Sequence, residues 1–161
     1  MVRAASFCVL LALAAAPAFA QRQSLGVFGG WAAFRDPGRC YAIAAPVAGP
    51  RPEGWRPFLS VGHWPARGPG GQVHVRLSRA KRDGSAVLLR IDGTSFQLVG
   101  SGRDAWAPDS GADDAILAAM RTGLNLVVET RAANGARFRE GYQLRGAATA
   151  IDAAALACRP R

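Results

Sequence analysis

Gln72-Val-His-Val-Arg-Leu-Ser78 alternates apolar and polar residues without a break. A period of two puts Val73, Val75 and Leu77 on one side of an extended chain, with His74, Arg76 and Ser78 on the other. That pattern predicts a half-buried strand of an antiparallel sheet. The segments around it read the same way. Upstream, Phe58–Trp64 is extended and stops at Pro65, while Phe28–Phe34 and Arg39–Ala45 flank Asp36-Pro-Gly38. That tripeptide suits a tight turn, because Pro presets φ and Gly tolerates positive φ. Pro46–Pro57 carries four prolines and predicts a loop, as does Gly68-Pro-Gly-Gly71. Downstream, Ala86–Ile91 and Thr94–Val99 are joined by the hairpin signal Asp92-Gly93, and Leu124–Thr130 and Phe138–Leu144 by Ala133-Asn-Gly135. No βαβ alternation appears, which favours an antiparallel sheet architecture. The expectation is a mainly-β fold: an antiparallel β-sandwich-like domain with two short α-helices, about 112–122 and 147–157.

The second helix rests on the alanine-rich Ala147–Ala157, a composition with high helix propensity. The first involves the densest acidic stretch, Asp104-Ala-Trp-Ala-Pro-Asp-Ser-Gly-Ala-Asp-Asp114. Ser110-Gly-Ala-Asp113 has capping-box spacing, with Asp where Glu or Gln is usual. Asp113 and Asp114 fall in the first turn, where the helix dipole favours negative charge. Ile116, Leu117 and Met120 supply the apolar face, and Gly123 terminates the helix. A calcium loop of EF type needs another spacing and a distal Glu, and Pro108 interrupts the run. The cluster therefore reads as helix punctuation, and the expectation is no metal.

Other chemistry is sparse. The chain has two histidines and lacks a Gly-x-Ser-x-Gly elbow, a His-Glu-x-x-His helix and a phosphate-cradling glycine loop. No catalytic or cofactor-binding residue is assigned. His74 is expected to face outward, and His63 to sit at the core edge.

Residues 1–20 read as a secretory signal peptide: a basic start at Arg3, an apolar run, and the small-x-small site Ala18-Phe-Ala20 before Gln21. Cleavage between Ala20 and Gln21 leaves 19 basic residues against 11 acidic, a net charge of +8. It also leaves two cysteines, Cys40 and Cys158, which are expected to form a structural disulfide in an oxidising compartment. Residues 21–27 are read as a short leader, 28–158 as one domain, and 159–161 as a tail. No transmembrane segment is expected in the mature form.

Every basic residue except Lys81 is arginine. Most are scattered rather than interleaved with aromatics, which argues against nucleic acid as a partner. The dense run Arg76–Arg82 makes Arg79, Lys81 and Arg82 a candidate contact surface, joined by Trp55 in the proline-rich loop. An anionic polymer is a possible partner for such a basic face.

Gly30-Trp31, Cys40, Arg56–Pro65, Asp104–Asp109, Ala119–Gly123, Tyr142-x-Leu-x-Gly146 and Ile151-Asp-x(5)-Cys158, in this order, together resemble the invasion-associated locus B family of small exported alphaproteobacterial proteins. The resemblance runs from about Phe28 to Cys158 and implies a mostly β domain of the periplasm or cell surface without known catalysis. The chain departs from the better-studied branch in having no cysteine between Cys40 and Cys158, so only fold and compartment carry over. The functional expectation is a periplasmic or secreted, non-enzymatic envelope protein that binds a macromolecular partner. The alternatives are an uncharacterised periplasmic hydrolase and a basic binder of anionic polysaccharide or lipid.

Overall fold

The structure, a computed structural model, describes residues 21–48, 54–68 and 70–159. The expected signal peptide lies outside the described residues. The described residues are mainly antiparallel sheet with two helices. Strands β1 (Gln23–Phe28), β2 (Trp31–Asp36), β3 (Arg39–Ala44), β4 (Phe58–His63) and β5 (Gln72–Arg76) form a meander. The chain then crosses over, and β6 (Val87–Ile91), β7 (Thr94–Ser101) and β8 (Asp104–Trp106) return as a second meander whose last strand pairs with β5. After helix α1 (Ser110–Thr122), strands β9 (Asn125–Arg131) and β10 (Arg137–Gln143) extend the sheet beyond β6, and helix α2 (Ala147–Ala157) closes the chain. The result is one ladder of ten strands, ordered β1-β2-β3-β4-β5-β8-β7-β6-β9-β10.

This ladder curls until its last strand faces its first ones. The Trp31 indole on β2 donates to the Gln143 carbonyl of β10 at 2.9 Å, and the Ser78 backbone N–H donates to the Glu140 carboxylate of β10 at 2.7 Å. The sandwich-like layering is thus made by a single sheet folded over its own core. Strands β2 to β6 and β9 each turn one face inward: Trp31, Ala42, Leu59, Val75, Leu89, Leu126 and Val128 are all buried in one cluster. Each large apolar side chain removed from water contributes about 1.5–3 kcal/mol. The alternation of Gln72–Ser78 is realised as expected, with Val73, Val75 and Leu77 fully buried.

Helix α2 packs its buried residues Ala147, Ala150, Ile151 and Ala154 against β2 and β3. Alanines let the helix approach the sheet closely, and Gly146 starts it at φ +91°, where a Cβ would strike the Phe28 carbonyl. Cys158, at its end, is bonded to Cys40 on β3, with Cα atoms 5.7 Å apart. The loop-closure model assigns such a crosslink, closing 118 residues, about 4–5 kcal/mol.

Three sequence expectations are revised. Residues 21–27, read as a leader, supply most of β1, and the stretch Phe28–Phe34 is split by a turn at Gly29-Gly30. The reason is a register shift between Ser24 and Gly26, a bulge that spoils the alternation by which an edge strand is recognised. The cap of α1 is Asp109, whose carboxylate accepts from the Ala112 N–H at 2.8 Å; Ser110 is the first helical residue. The two spacings differ by one residue, and the carboxylate, a strong acceptor, wins.

Candidate functional site

The acidic cluster is taken apart by the fold. Asp109 caps α1, and Asp113 is buried with its carboxylate accepting from the Val73 N–H of β5 at 2.7 Å, bolting helix to sheet. Burial raises the Asp113 pKa above the usual carboxylate range, against that hydrogen bond. Asp104 lies on the outer face of β8, where it meets His74 Nε2 at 2.8 Å and Arg76 Nη2 at 3.2 Å. Among the described residues no group of His, Cys, Asp and Glu is arranged to hold a metal ion.

The outer face of the first half of the sheet is aromatic with paired charges. His74 stacks on Trp106 with ring centroids 4.9 Å apart, and Phe58 meets His74 edge-on at 5.2 Å. His74 faces outward, as its strand parity requires. Trp55 joins this region half-buried, with Arg103 over its ring at 3.9 Å and its indole N–H 3.4 Å from the Leu77 carbonyl. Its ring is therefore already covered on one face, and the aromatic sides are largely used against one another.

His63 lines a cavity of about 480 Å³ between β4, α1 and α2, shared with Asp114, Leu117, Arg121 and Ile151. Its Nδ1 is 2.9 Å from the Gly70 carbonyl, and its buried Nε2 has no hydrogen-bond partner. Burial holds its pKa below the usual histidine range, and nearby Arg121 acts the same way. Arg121 is itself paired with Asp152 at 2.7 Å. A base is present, but among the described residues no serine, threonine or free thiol lines the cavity to serve as nucleophile.

The second half of the sheet presents a different outer face. A groove of about 580 Å³ runs across β6, β9 and β10, bordered by Arg90, Arg131, Arg137 and Arg139 around Glu129, the one carboxylate among the described residues that line it. Glu129 is engaged on both sides, by Arg90 at 3.2 Å and by Arg139. The Arg139 guanidinium foremost holds its pKa below the usual carboxylate range. Among the described residues Arg131 and Arg137 have no such partner. They face each other across the β9–β10 ladder, and one Arg131 nitrogen donates to the Gly135 carbonyl at 3.1 Å. Ala132 donates to the Ala136 carbonyl just beyond them at 2.8 Å. By the alternation of an antiparallel ladder, the arginine pair is then the close, non-hydrogen-bonded kind, with Cα atoms about 4.5 Å apart.

Of the residues singled out in Arg76–Arg82, two contact residues that line this groove without lining it themselves. Arg79 lies over the Phe138 ring at 5.9 Å, and the Arg82 backbone N–H donates to the Arg131 carbonyl at 2.8 Å. Lys81 does not present a surface. It is buried, its ammonium donates to the Arg82 carbonyl at 3.2 Å, and its backbone bridges to Ala132, because the crossover strand tucks it under the β9–β10 turn. The missed residues were Arg131 and Arg137. They stand three positions either side of Asn134, so counting outward from the Asn-Gly turn pairs them.

Cys40 and Cys158 meet as expected, and no helix among the described residues is long and apolar enough to cross a membrane. The chain matches no protein-family model, no curated protein and no solved structure.

Proposed function

We propose that this protein is an exported, non-enzymatic envelope protein, of the kind its motifs resemble, that binds a macromolecular partner through the outer face of β6, β9 and β10. The observation that carries the reading is the Arg131–Arg137 pair, two like charges placed directly opposite with no carboxylate between them among the described residues. Opposed like charges destabilise a sheet, and an anion bridging the pair would relieve that repulsion. A long-range disulfide supports an oxidising compartment such as the periplasm or cell surface. The test is retention by cell envelopes from the source organism. The wild-type protein is expected to sediment with them and the Arg131→Gln/Arg137→Gln variant to stay in solution. Wild-type protein that stays in solution overturns the proposal.

A hydrolase remains the second reading, on one observation: the unpartnered Nε2 of His63 beside a cavity. That reading predicts turnover of simple ester or amide substrates that disappears in His63→Gln. Turnover unchanged by the substitution, or none in the wild type, removes it.

A further inference from the structure

We infer that the groove across β6, β9 and β10 takes an acidic polysaccharide chain, an inference that rests on the binding function proposed above. Four guanidiniums surround one carboxylate, and that carboxylate is already shared between Arg90 and Arg139. The surplus positive charge sits on Arg131 and Arg137, both exposed. Planar guanidiniums bind carboxylates and sulfates through paired N–H donors, which a point charge does not reproduce. In a sheet, neighbouring side chains on one face stand about 5 Å apart across strands and about 7 Å apart along a strand. Arg131, Arg137 and Arg139 therefore form a short grid whose spacing is of the order of one sugar unit.

Other anions fit less well. A nucleic acid strand needs free ring faces for its bases to stack on. The groove's aromatic residue, Phe138, already has Arg79 over its ring at 5.9 Å. A membrane surface is bound by apolar side chains inserted beside the cations. The exposed large hydrophobic residues Val27, Val47, Val99, Leu124 and Leu156 all lie outside the groove lining. An acidic peptide would most readily add as a strand to the edge of β10. There the Gly141 carbonyl already accepts from the Val47 N–H at 2.8 Å, and the Gln143 carbonyl from the Trp31 indole at 2.9 Å. A polysaccharide needs neither a strand edge nor an apolar pocket, and the concave groove encloses a chain better than a flat surface does.

The experiment uses the purified protein with its disulfide intact, and polygalacturonate and heparin as probes. Phosphatidylglycerol vesicles, poly-glutamate and single-stranded DNA serve as competing anions. The expected result is saturable binding to both polysaccharides that weakens steadily between about 50 and about 300 mM NaCl. Arg131→Gln/Arg137→Gln is expected to weaken it about tenfold or more. Arg35→Gln/Arg145→Gln, which removes the same net charge from exposed positions outside the groove, is expected to change it about twofold at most. Equal losses in the two variants overturn the site, because net charge alone then explains binding. Preference for vesicles, poly-glutamate or DNA overturns the ligand class. Retention by native envelopes without affinity for either polysaccharide sinks this inference and leaves the binding function standing; loss of both sinks the two together.

Discussion

The two halves of the curled sheet solve the same problem, a polar outer face, in opposite ways. On β5 and β8 the charges are balanced where they stand: Asp104 lies between His74 and Arg76, with Trp106 and Phe58 packed alongside. On β9 and β10 two arginines oppose each other and the nearby carboxylate is committed elsewhere. The inner faces contrast as well. The first half carries α2, tied to it by Cys40–Cys158, whereas the second half turns the buried carboxylate of Glu140 inward to hold the crossover chain at Ser78. A self-satisfied face is built for folding. A face left with unmatched charge carries a repulsion that a bound anion would relieve.

The largest expected effect breaks the stapled half. Cys40→Ala/Cys158→Ala should lose about 4 kcal/mol of stability by the loop-closure model, read as a fall in the urea midpoint. Hydrogen exchange should show the loss first in α2 and β3. A variant with unchanged midpoint would mean that α2 holds by packing alone, and that the contrast between the halves is not covalent in origin. Next comes the buried contact of the other half. Glu140→Ala leaves the Ser78 N–H without an acceptor and opens a cavity, costing about 2–4 kcal/mol. Glu140→Gln keeps a carbonyl acceptor and should cost clearly less in the same titration. Equal losses would show that charge, rather than hydrogen-bonding capacity, matters at this point.

These contrasts were unequally legible in the sequence. The inner face was readable because alternation is a local signal: Val73, Val75 and Leu77 declare their side without reference to any partner. Helix α2 followed from alanine propensity and emerged with the bounds Ala147–Ala157. The disulfide followed from having two cysteines after the expected cleavage. Strand β8 was not legible, because Asp104-Ala-Trp106 is too short to show a period and its aspartate was read with the helix that follows. The role of Asp113 was hidden for another reason. Its first-turn position explained it sufficiently, while its real partner, the Val73 N–H, is forty residues away. The arginine groove was missed because it is a cross-strand property. Arg90, Arg131 and Arg137 are scattered along the chain and are gathered only by register, whereas Lys81, which looked clustered, is buried.

A smaller effect tests the bolt that joins α1 to the first half. The pKa of Asp113 is raised by burial, so the folded state keeps this proton to higher pH than the unfolded chain does. Between the unfolded and folded values the native state binds more protons, and stability falls as pH rises through that window. The ionised form thus contributes a cost at neutral pH that is relieved below the unfolded value. Asp113→Asn retains an oxygen for the Val73 N–H and removes the titration. The difference in stability between variant and wild type should therefore favour the variant more at pH 7 than at pH 3, followed by urea unfolding across that range. A difference that grows toward acid would reverse the sign and place the carboxylate among the groups that stabilise when charged.

The smallest effect bears most directly on the contrast between the two outer faces. Arg76→Gln removes the guanidinium that faces Asp104, and should destabilise by a few tenths of a kcal/mol, as surface ion pairs do. Arg131→Gln removes one member of a like-charged pair, and should stabilise by a similar few tenths. Opposite signs for two arginine-to-glutamine changes on the same sheet would locate the unmatched charge on β9 and β10 without reference to any ligand. The stabilising change should also shrink as salt is added, because the repulsion it relieves is exposed to solvent and screened within about 10 Å. Should Arg131→Gln destabilise instead, its bond to the Gly135 carbonyl outweighs the repulsion from Arg137. The groove would then be a finished surface rather than one awaiting an anion.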